Sequence, residues 1–338
     1  MAEAISEADK LVICACGALT PLGLSAAQTA ATVRAGISAA AASDLVDADG
    51  ERVVLGALPW DLLPTVEMPP ATPLREQELI RLAHGAVADV LHEALAADLP
   101  AVPTWCAWPS RDAGLPLSVA RCTDLLTASL GGRIAVHGAM RGGTAGVQAL
   151  SAASAHLRAH GGLALVVAAD SNVHPFILAT LLREQRVKTT RQREGLIPGH
   201  GAAALLLADA ATATRLVLPH HATLGGFGRA LDPHAEPRGE GLSRALRQAL
   251  GDGGLPVRAW WTTLSGERAQ AQEHSTAQIR SADRLARDLA VHHLAMNLGD
   301  TGVAAALLAI VCALSSAVRP VLISATADTP ERAALLLI

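Results

Sequence analysis

Residues 142–170 have the sequence GGTAGVQALSAASAHLRAHGGLALVVAAD, which joins a glycine-rich turn, a helix and a strand. The turn opens a long run of small residues, 142–159, that predicts the helix. Residues 163–170 are continuously apolar, as in a strand that is buried on both faces. A second strand of this kind is predicted at GHGAAALLLAD, residues 199–209. A helix followed by buried strands is typical of a layered α/β fold.

The same order of elements recurs in the last third of the chain. The sequence PVRAWWTTL at 256–264 predicts a strand, and a charged, helix-like segment follows it as far as Ala290. An apolar helix is predicted after Gly302, and two closing strands are predicted at 320–328 and 333–338. This recurrence predicts a fold that is built from two duplicated halves.

No linker separates the two copies. We therefore predict an N-terminal half at 1–210 and a C-terminal half at 211–338 that share one core. The N-terminal half opens with LVICACGALTPLG, residues 11–23, an apolar strand followed by a turn. Cys14 and Cys16 lie two residues apart in this strand, so their side chains are expected to face the same side of the sheet.

The composition argues for a folded chain that binds no nucleic acid and spans no membrane. Of its 338 residues, 51% are hydrophobic and 17% are charged, which favours a large core over disorder. The formal net charge is −4, without the basic stripe that nucleic-acid binding requires. Arg186 and the neighbouring arginines at 183, 191 and 193 are predicted to lie in a solvated loop. The longest apolar run, 303–318, is shorter than the roughly 20 residues of a membrane-spanning helix.

The cysteines and the first residues indicate a cytoplasmic location. Residues 1–10 are acidic and polar and do not resemble a secretory signal. The five cysteines are an odd number without a disulfide framework spacing, which is typical of reduced thiols in a cytosolic protein. No second cysteine pair accompanies Cys14 and Cys16, so we predict no metal site, and nothing in the sequence indicates a cofactor.

Five segments in this order resemble the β-ketoacyl synthases of the thiolase-like superfamily, and they span nearly the whole chain. The resemblance implies a five-layered αβαβα fold made of two duplicated halves, a bacterial source and a two-fold homodimer. The segments are VICACGALTPLG (12–23), GGTAGVQAL (142–150), ALVVAADSNVHP (164–175), GLIPGHGAAALLL (195–207) and NLGDTGVAAALLAIVCAL (297–314).

The residues that carry the family's condensing chemistry are replaced in this chain. The resemblance places Gly143 where the family has its nucleophilic cysteine, and glycine cannot form a thioester. It places Asp300 at one active-site histidine, and the second histidine falls at Thr263 or at Ser265. The supporting lysine becomes Ala295. Loss of a single oxyanion donor costs about 3 to 4 kcal/mol of transition-state stabilisation, and a carboxylate at Asp300 would also repel the developing charge.

Two further replacements lie around the same site. The family's glycine-rich loop near the C-terminus corresponds here to ATADTPE, residues 325–331, and the family's usual glutamate corresponds to His200. The resemblance brings His137 and His200 toward the former active site. Together with Asn297 and Asp300 they are our candidates for residues that line a remaining pocket.

We therefore predict a ketosynthase-like pseudoenzyme that binds, scaffolds or assists a partner. A chain-length-factor-like subunit is one form of this prediction, and an adaptor encoded beside secretion-effector genes is another. The partner would be another protein or a second copy, with an acyl carrier protein as a further candidate. The alternative is an active acyltransferase or thioester hydrolase that uses Asp300, His200 or Ser265.

Overall fold

A computed structural model of the protein describes residues 10–94, 100–112, 114, 116–234 and 238–338. The elements as far as residue 209 are β1 (Leu11–Leu19), α1 (Ala26–Arg34), β2 (Ala41–Val46), β3 (Arg52–Leu55), α2 (Leu74–Ala94), β4 (Val102–Trp108), α3 (Val119–Ser129), β5 (Ile134–Arg141), α4 (Ala145–His160), β6 (Leu163–Ser171), α5 (Pro175–Arg183) and β7 (His200–Asp209). They are followed by α6 (Ala210–Arg215), β8 (Ala222–Leu231), α7 (Glu240–Leu250), β9 (Val257–Thr262), α8 (Arg268–Arg280), β10 (Leu285–His293), α9 (Ala295–Leu298), α10 (Ala305–Leu314), β11 (Val321–Thr326) and β12 (Glu331–Leu337).

The strand order confirms the predicted duplication. One set of five strands has the order β1-β7-β6-β4-β5, and the other has the order β8-β12-β11-β9-β10. In both sets the first three strands are antiparallel to their neighbours and the last three are parallel. The sets join through a short antiparallel pairing of β1 with β8. The boundary between residues 210 and 211 remains a prediction.

The buried side chains divide the molecule into five layers. Helices α4 and α10 pack between the inner faces of the two sets of strands. Helices α2 and α3 cover the outer face of the first set, and α7 and α8 cover the outer face of the second. This is the predicted αβαβα arrangement. It forms because nearly all of α10 is buried, while the central strands alternate their side chains between two apolar layers.

Strand β10 corrects the prediction of a helix as far as Ala290. Helix α8 ends at Arg280, and β10 begins at Leu285. The strand lies at the edge of its set, and Arg287 and Asp288 in it are exposed. Because an edge strand carries charges and is only partly buried, it lacks the continuous apolar run that identifies the central strands.

A β-bulge in β1 corrects the prediction that two cysteines face the same side. The pairing of β1 with β7 shifts register between Ile13 and Ala15. Cys14 therefore packs in the outer layer with α2, whereas Cys16 packs toward the central helices.

Two predictions extend beyond the described residues. The polar start of the chain includes residues 1–9, which lie outside the described ranges. The apolar residues from Leu74 to Ala97 recur at helical spacing and predict one helix, of which residues 95–97 also lie outside those ranges. Within those ranges, no helix has the length and apolar character needed to cross a lipid bilayer.

Candidate functional site

A small cavity lies at the carboxyl ends of the parallel strands. The turn before α4 contributes Gly143, the turn before α10 contributes Asp300, and the segments after β4, β9 and β11 contribute Arg111, Thr263 and Asp328. The cavity has a volume of about 60 Å³. This is well below the roughly 300 Å³ at which small-molecule sites begin, so the cavity is too small to enclose an acyl chain.

The space beside Gly143 is filled by the loop that follows β11. A Cβ atom added at Gly143 would lie 2.6 Å from the carbonyl oxygen of Thr326 and 2.9 Å from the Cα of Ala327. Both neighbours are backbone atoms, so a side chain at this position requires the loop to move. The residue before α4 is also bonded to the end of this loop, because the hydroxyl of Thr144 donates to Glu331 at 3.1 Å.

Ion pairs hold that loop in place. Asp328 accepts from Arg111 at 2.6 Å and from Arg186 at 2.9 Å. Arg111 also donates to the side-chain oxygen of Asn172 at 2.6 Å, and Arg186 donates to Glu267 at 2.8 Å. Asp328 thus connects two arginines that are anchored elsewhere in the fold. Movement of the loop would break several charge-assisted hydrogen bonds together.

Asp328→Asn is expected to lower the free energy of unfolding by about 1 kcal/mol at pH 7, because the pair is partly exposed. Burial raises the pKa of Asp328, but the hydrogen bond from Arg186 and the charge of Arg111 outweigh it and hold the pKa well below its usual range. A lowered pKa in the folded state adds stability above the unfolded pKa of about 3.9, and this stability is lost as the pH falls below that value.

Urea unfolding of the wild type and the variant between pH 3 and pH 7 measures this difference. The difference in the free energy of unfolding between the two proteins should become smaller below pH 4. The matched control is Asp288→Asn, which changes an exposed partner of Arg258 and should have little effect at any pH. A difference for Asp328→Asn that is equal at pH 3 and pH 7 would show that the carboxylate charge does not hold the loop.

Two carboxyl groups flank the cavity, of which Asp170 is buried and Asp300 is half-buried. Asp170 accepts from the backbone N–H of Val303 at 2.9 Å, and burial raises its pKa to about 6. Asp300 accepts from the N–H of Gly302 at 2.9 Å. Burial also raises the pKa of Asp300, while the positive charge of Arg111 opposes that shift. Two acidic groups therefore face this cavity, and a carboxylate cannot donate the hydrogen bonds that an oxyanion requires.

No thiol reaches this cavity from the described residues. Cys106 lies in β4 and Cys122 in α3, and both pack in the outer apolar layer. Burial raises the pKa of each thiol to about 12, so both stay protonated at neutral pH. A protonated, enclosed thiol is a packing group and a poor nucleophile.

Solved structures identify the fold. The chain is similar to the ishigamide ketosynthase/chain length factor, with a TM-score of 0.79 and 18% identity over 97% of this chain and 98% of that one. The chain has the ketosynthase fold. A type II polyketide synthase acyl-carrier protein in complex with its ketosynthase gives a TM-score of 0.78 at 14% identity, with 97% and 98% covered.

A modular enzyme is also similar. The ketosynthase from module 6 of the bacillaene synthase of Bacillus subtilis 168 gives a TM-score of 0.78 at 14% identity, covering 97% of this chain and 71% of that one. A scan against models of known protein families finds no match, and a search of curated proteins finds no relative. The ketosynthase fold thus rests on the agreement of the structures.

The structure brings three of the sequence-predicted residues together. Gly143, Thr263 and Asp300 all line the small cavity of this ketosynthase fold. Of the two candidates for the second histidine position, Thr263 lines the cavity, whereas Ser265 lies outside the lining and its hydroxyl donates to Glu267 at 3.2 Å. Ala295 begins α9 and also lies outside the lining.

The other three pocket candidates lie elsewhere, which differs from the sequence-based expectation. His200 is 2% exposed; its ring lies 2.9 Å from Glu78, and it accepts from the N–H of Leu58 at 2.6 Å. His200 therefore connects β7 to α2 and to the segment after β3. His137 is exposed on β5, and Asn297 lines a separate cavity beside α10.

Sequence reasoning missed the charged residues that close the site. Arg186 was expected in a solvated loop, but it pairs with Glu267 and Asp328 and its side chain is only 22% exposed. Arg111 is separated from Asp328 by 217 positions. No periodicity or spacing signals a pair at that separation. Among the described residues, no group of three acidic, histidine or cysteine side chains is arranged to hold a metal ion.

Proposed function

We propose that this ketosynthase-fold protein does not condense acyl groups and acts as a non-catalytic partner subunit, as a chain length factor does. The closed space beside Gly143 carries the proposal. A missing cysteine alone leaves a vacant niche, whereas here backbone atoms of Thr326 and Ala327 fill the niche. The loop that supplies them is itself held by two arginines, so the closure is part of the fold.

The remaining chemistry supports the same reading. Condensation needs a nucleophile for the acyl group and donors for the enolate that forms on decarboxylation. Asp170 and Asp300 supply carboxyl groups at this place, and the cavity has no room for an acyl chain. The rival reading, an acyl transfer or hydrolysis by Ser265, receives no support, because its hydroxyl lies against Glu267 and Gln270 and no imidazole activates it in the described structure.

The edge strand β5 supports a role in pairing. It stands at the end of its set of strands, and the side chains of His137, Ala139 and Arg141 in it are exposed. An edge strand offers unpaired backbone groups to a further strand. We propose that a second ketosynthase-fold chain, either another copy or an active partner, pairs here. Any acyl carrier protein would then serve the active partner.

Ala139→Lys tests this pairing, because a lysine on an edge strand opposes the addition of another strand. Light scattering measures self-association, and co-purification with ketosynthase-fold proteins encoded nearby measures capture of a partner. The variant should reduce the complex at least about tenfold, which corresponds to 1.4 kcal/mol. The control is Ala317→Lys, which adds the same charge at an exposed alanine far from β5. A monomeric wild type that captures no partner, or a variant that assembles as well as the wild type, would contradict the proposal.

A further inference from the structure

A second, larger cavity lies at the end of α10, away from the site above. Its volume is about 780 Å³, within the range of small-molecule sites. Val33 of α1, Cys312 of α10 and Val321 of β11 form apolar walls. Trp261 of β9 and Met296 of α9 complete the lining.

The cavity exists because the two central helices differ in length. Helix α4 has 16 residues, whereas α10 has 10 and the 3-10 turn at Gly302–Ala304 before it adds 3. At 1.5 Å per residue, the second helix is shorter by roughly one turn. The lining includes the residues at and after the end of α10, so the cavity occupies the place of the missing turn.

Two tryptophans allow the ends of the two central helices to be compared. Trp105 of β4 and Trp261 of β9 occupy corresponding strands of the duplicated sets. The ring of Trp105 is covered by His156 from the end of α4, with ring centroids 5.1 Å apart. Trp261 stacks on His292 of the neighbouring strand at 4.3 Å and lines the cavity. Both rings are largely buried, with Trp105 6% and Trp261 8% exposed, so Trp261 adds only a small aromatic surface to the cavity wall.

The charges at the mouth favour an anion. Of the charged side chains that line the cavity in the described structure, Arg258 pairs with Asp288 at 3.2 Å. The remaining one, Arg34, donates to the carbonyl oxygen of Ser315 at 3.3 Å, which does not neutralise its charge. The lining thus carries one positive charge in excess.

We propose that this cavity binds an aliphatic carboxylate, with the chain against Trp261 and Val33 and the carboxylate at Arg34. Around the mouth, Ile37, Met296 and Val318 are exposed apolar side chains, and a bound chain would cover part of this surface. The apolar walls, the opening to solvent and the single excess charge suit an amphipathic molecule. This inference is independent of whether the chain pairs with a partner.

Calorimetric titration with decanoate tests the proposal. Decanoate should bind, and affinity should rise about three- to fourfold for each methylene from hexanoate to decanoate. Ala290→Trp places a large side chain on an exposed alanine of the lining and should weaken binding at least about tenfold. Ala128→Trp adds the same side chain at an exposed alanine of α3, outside the lining, and should leave binding unchanged.

Arg34→Gln separates the headgroup from the chain. It should weaken decanoate about threefold, because the arginine is exposed, and leave decanol unaffected. Absence of decanoate binding, affinity that is independent of chain length, or equal binding by Ala290→Trp and the wild type would overturn the proposal. A change of mass in light scattering caused by Ala290→Trp would show instead that a second copy occupies the cavity, which also overturns it.

Discussion

Gly143→Ala is expected to lower the free energy of unfolding by about 2 to 3 kcal/mol, the upper range for overpacking a filled interior. The added Cβ would lie 2.6 Å from the Thr326 oxygen and 2.9 Å from the Ala327 Cα, both closer than real Cβ contacts. Backbone atoms cannot rotate away from this clash as the end of a flexible side chain can. The loop could retreat only by releasing Asp328 from Arg111 and Arg186.

Gly143→Cys should be about as destabilising as the alanine variant, because the clash begins at Cβ. It should also leave the protein without condensing activity, alone or combined with Asp300→His. Urea unfolding of Gly143→Ala, Asp328→Ala and the double variant gives a double-mutant cycle. The cost of Gly143→Ala should be smaller once Asp328→Ala has released the loop. A cost below about 0.5 kcal/mol in the otherwise unchanged protein, the level of ordinary surface substitutions, would show that the niche is open.

His200→Glu should destabilise the protein by about 3 kcal/mol at pH 8, although glutamate is the usual residue in the resembling family. The imidazole of His200 lies 2.9 Å from the buried carboxylate of Glu78. Burial raises the pKa of Glu78, but the hydrogen bonds from His200 and Ser171 outweigh it, so the net pKa is lowered. A second carboxylate in this place would repel Glu78, and the pair would have to share a proton.

The pH dependence distinguishes this repulsion from a simple packing defect. A shared proton raises the folded pKa of the pair, so stability is lost as the pH rises above the unfolded glutamate pKa of about 4.3. His200→Gln keeps a polar side chain without a charge, so it should cost less and add no such dependence. Unfolding at pH 5 and pH 8 measures both variants. Equal stability of His200→Glu and the wild type at pH 8 would contradict the role of His200 as the partner of Glu78.

The central elements of the fold could be predicted from the sequence, because strands β6, β7, β11 and β12 are buried and appear as continuous apolar runs. The edge strand β10 could not, since half-exposed strands with charges resemble helices. The bulge at Cys14 likewise depends on pairing with β7, a partner almost 200 positions away. The local sequence pattern therefore predicts the interior strands, but it does not predict the edge strand β10 or the bulge in β1.

The residues of the candidate site likewise fall into those that the sequence predicts and those that it does not. Gly143, Asp300 and the choice of Thr263 or Ser265 can be named from the sequence because the resemblance to the β-ketoacyl synthases places them next to recognisable strands and helices. Arg111 and Asp328 cannot be named in this way, because they meet only when two distant loops close over the same turn. The substitutions at the site are readable in sequence. The closure of the space beside Gly143 is a property of the folded chain.

Intact-protein mass spectrometry after incubation with acyl-CoA and acyl-carrier-protein thioesters tests the central claim most directly. If the protein is non-catalytic, as proposed, its mass should be unchanged and the thioester should not turn over, because no nucleophile reaches the space beside Gly143. A covalent acyl adduct that disappears when one residue is replaced, whether Cys106, Cys122 or Ser265, would contradict the proposal.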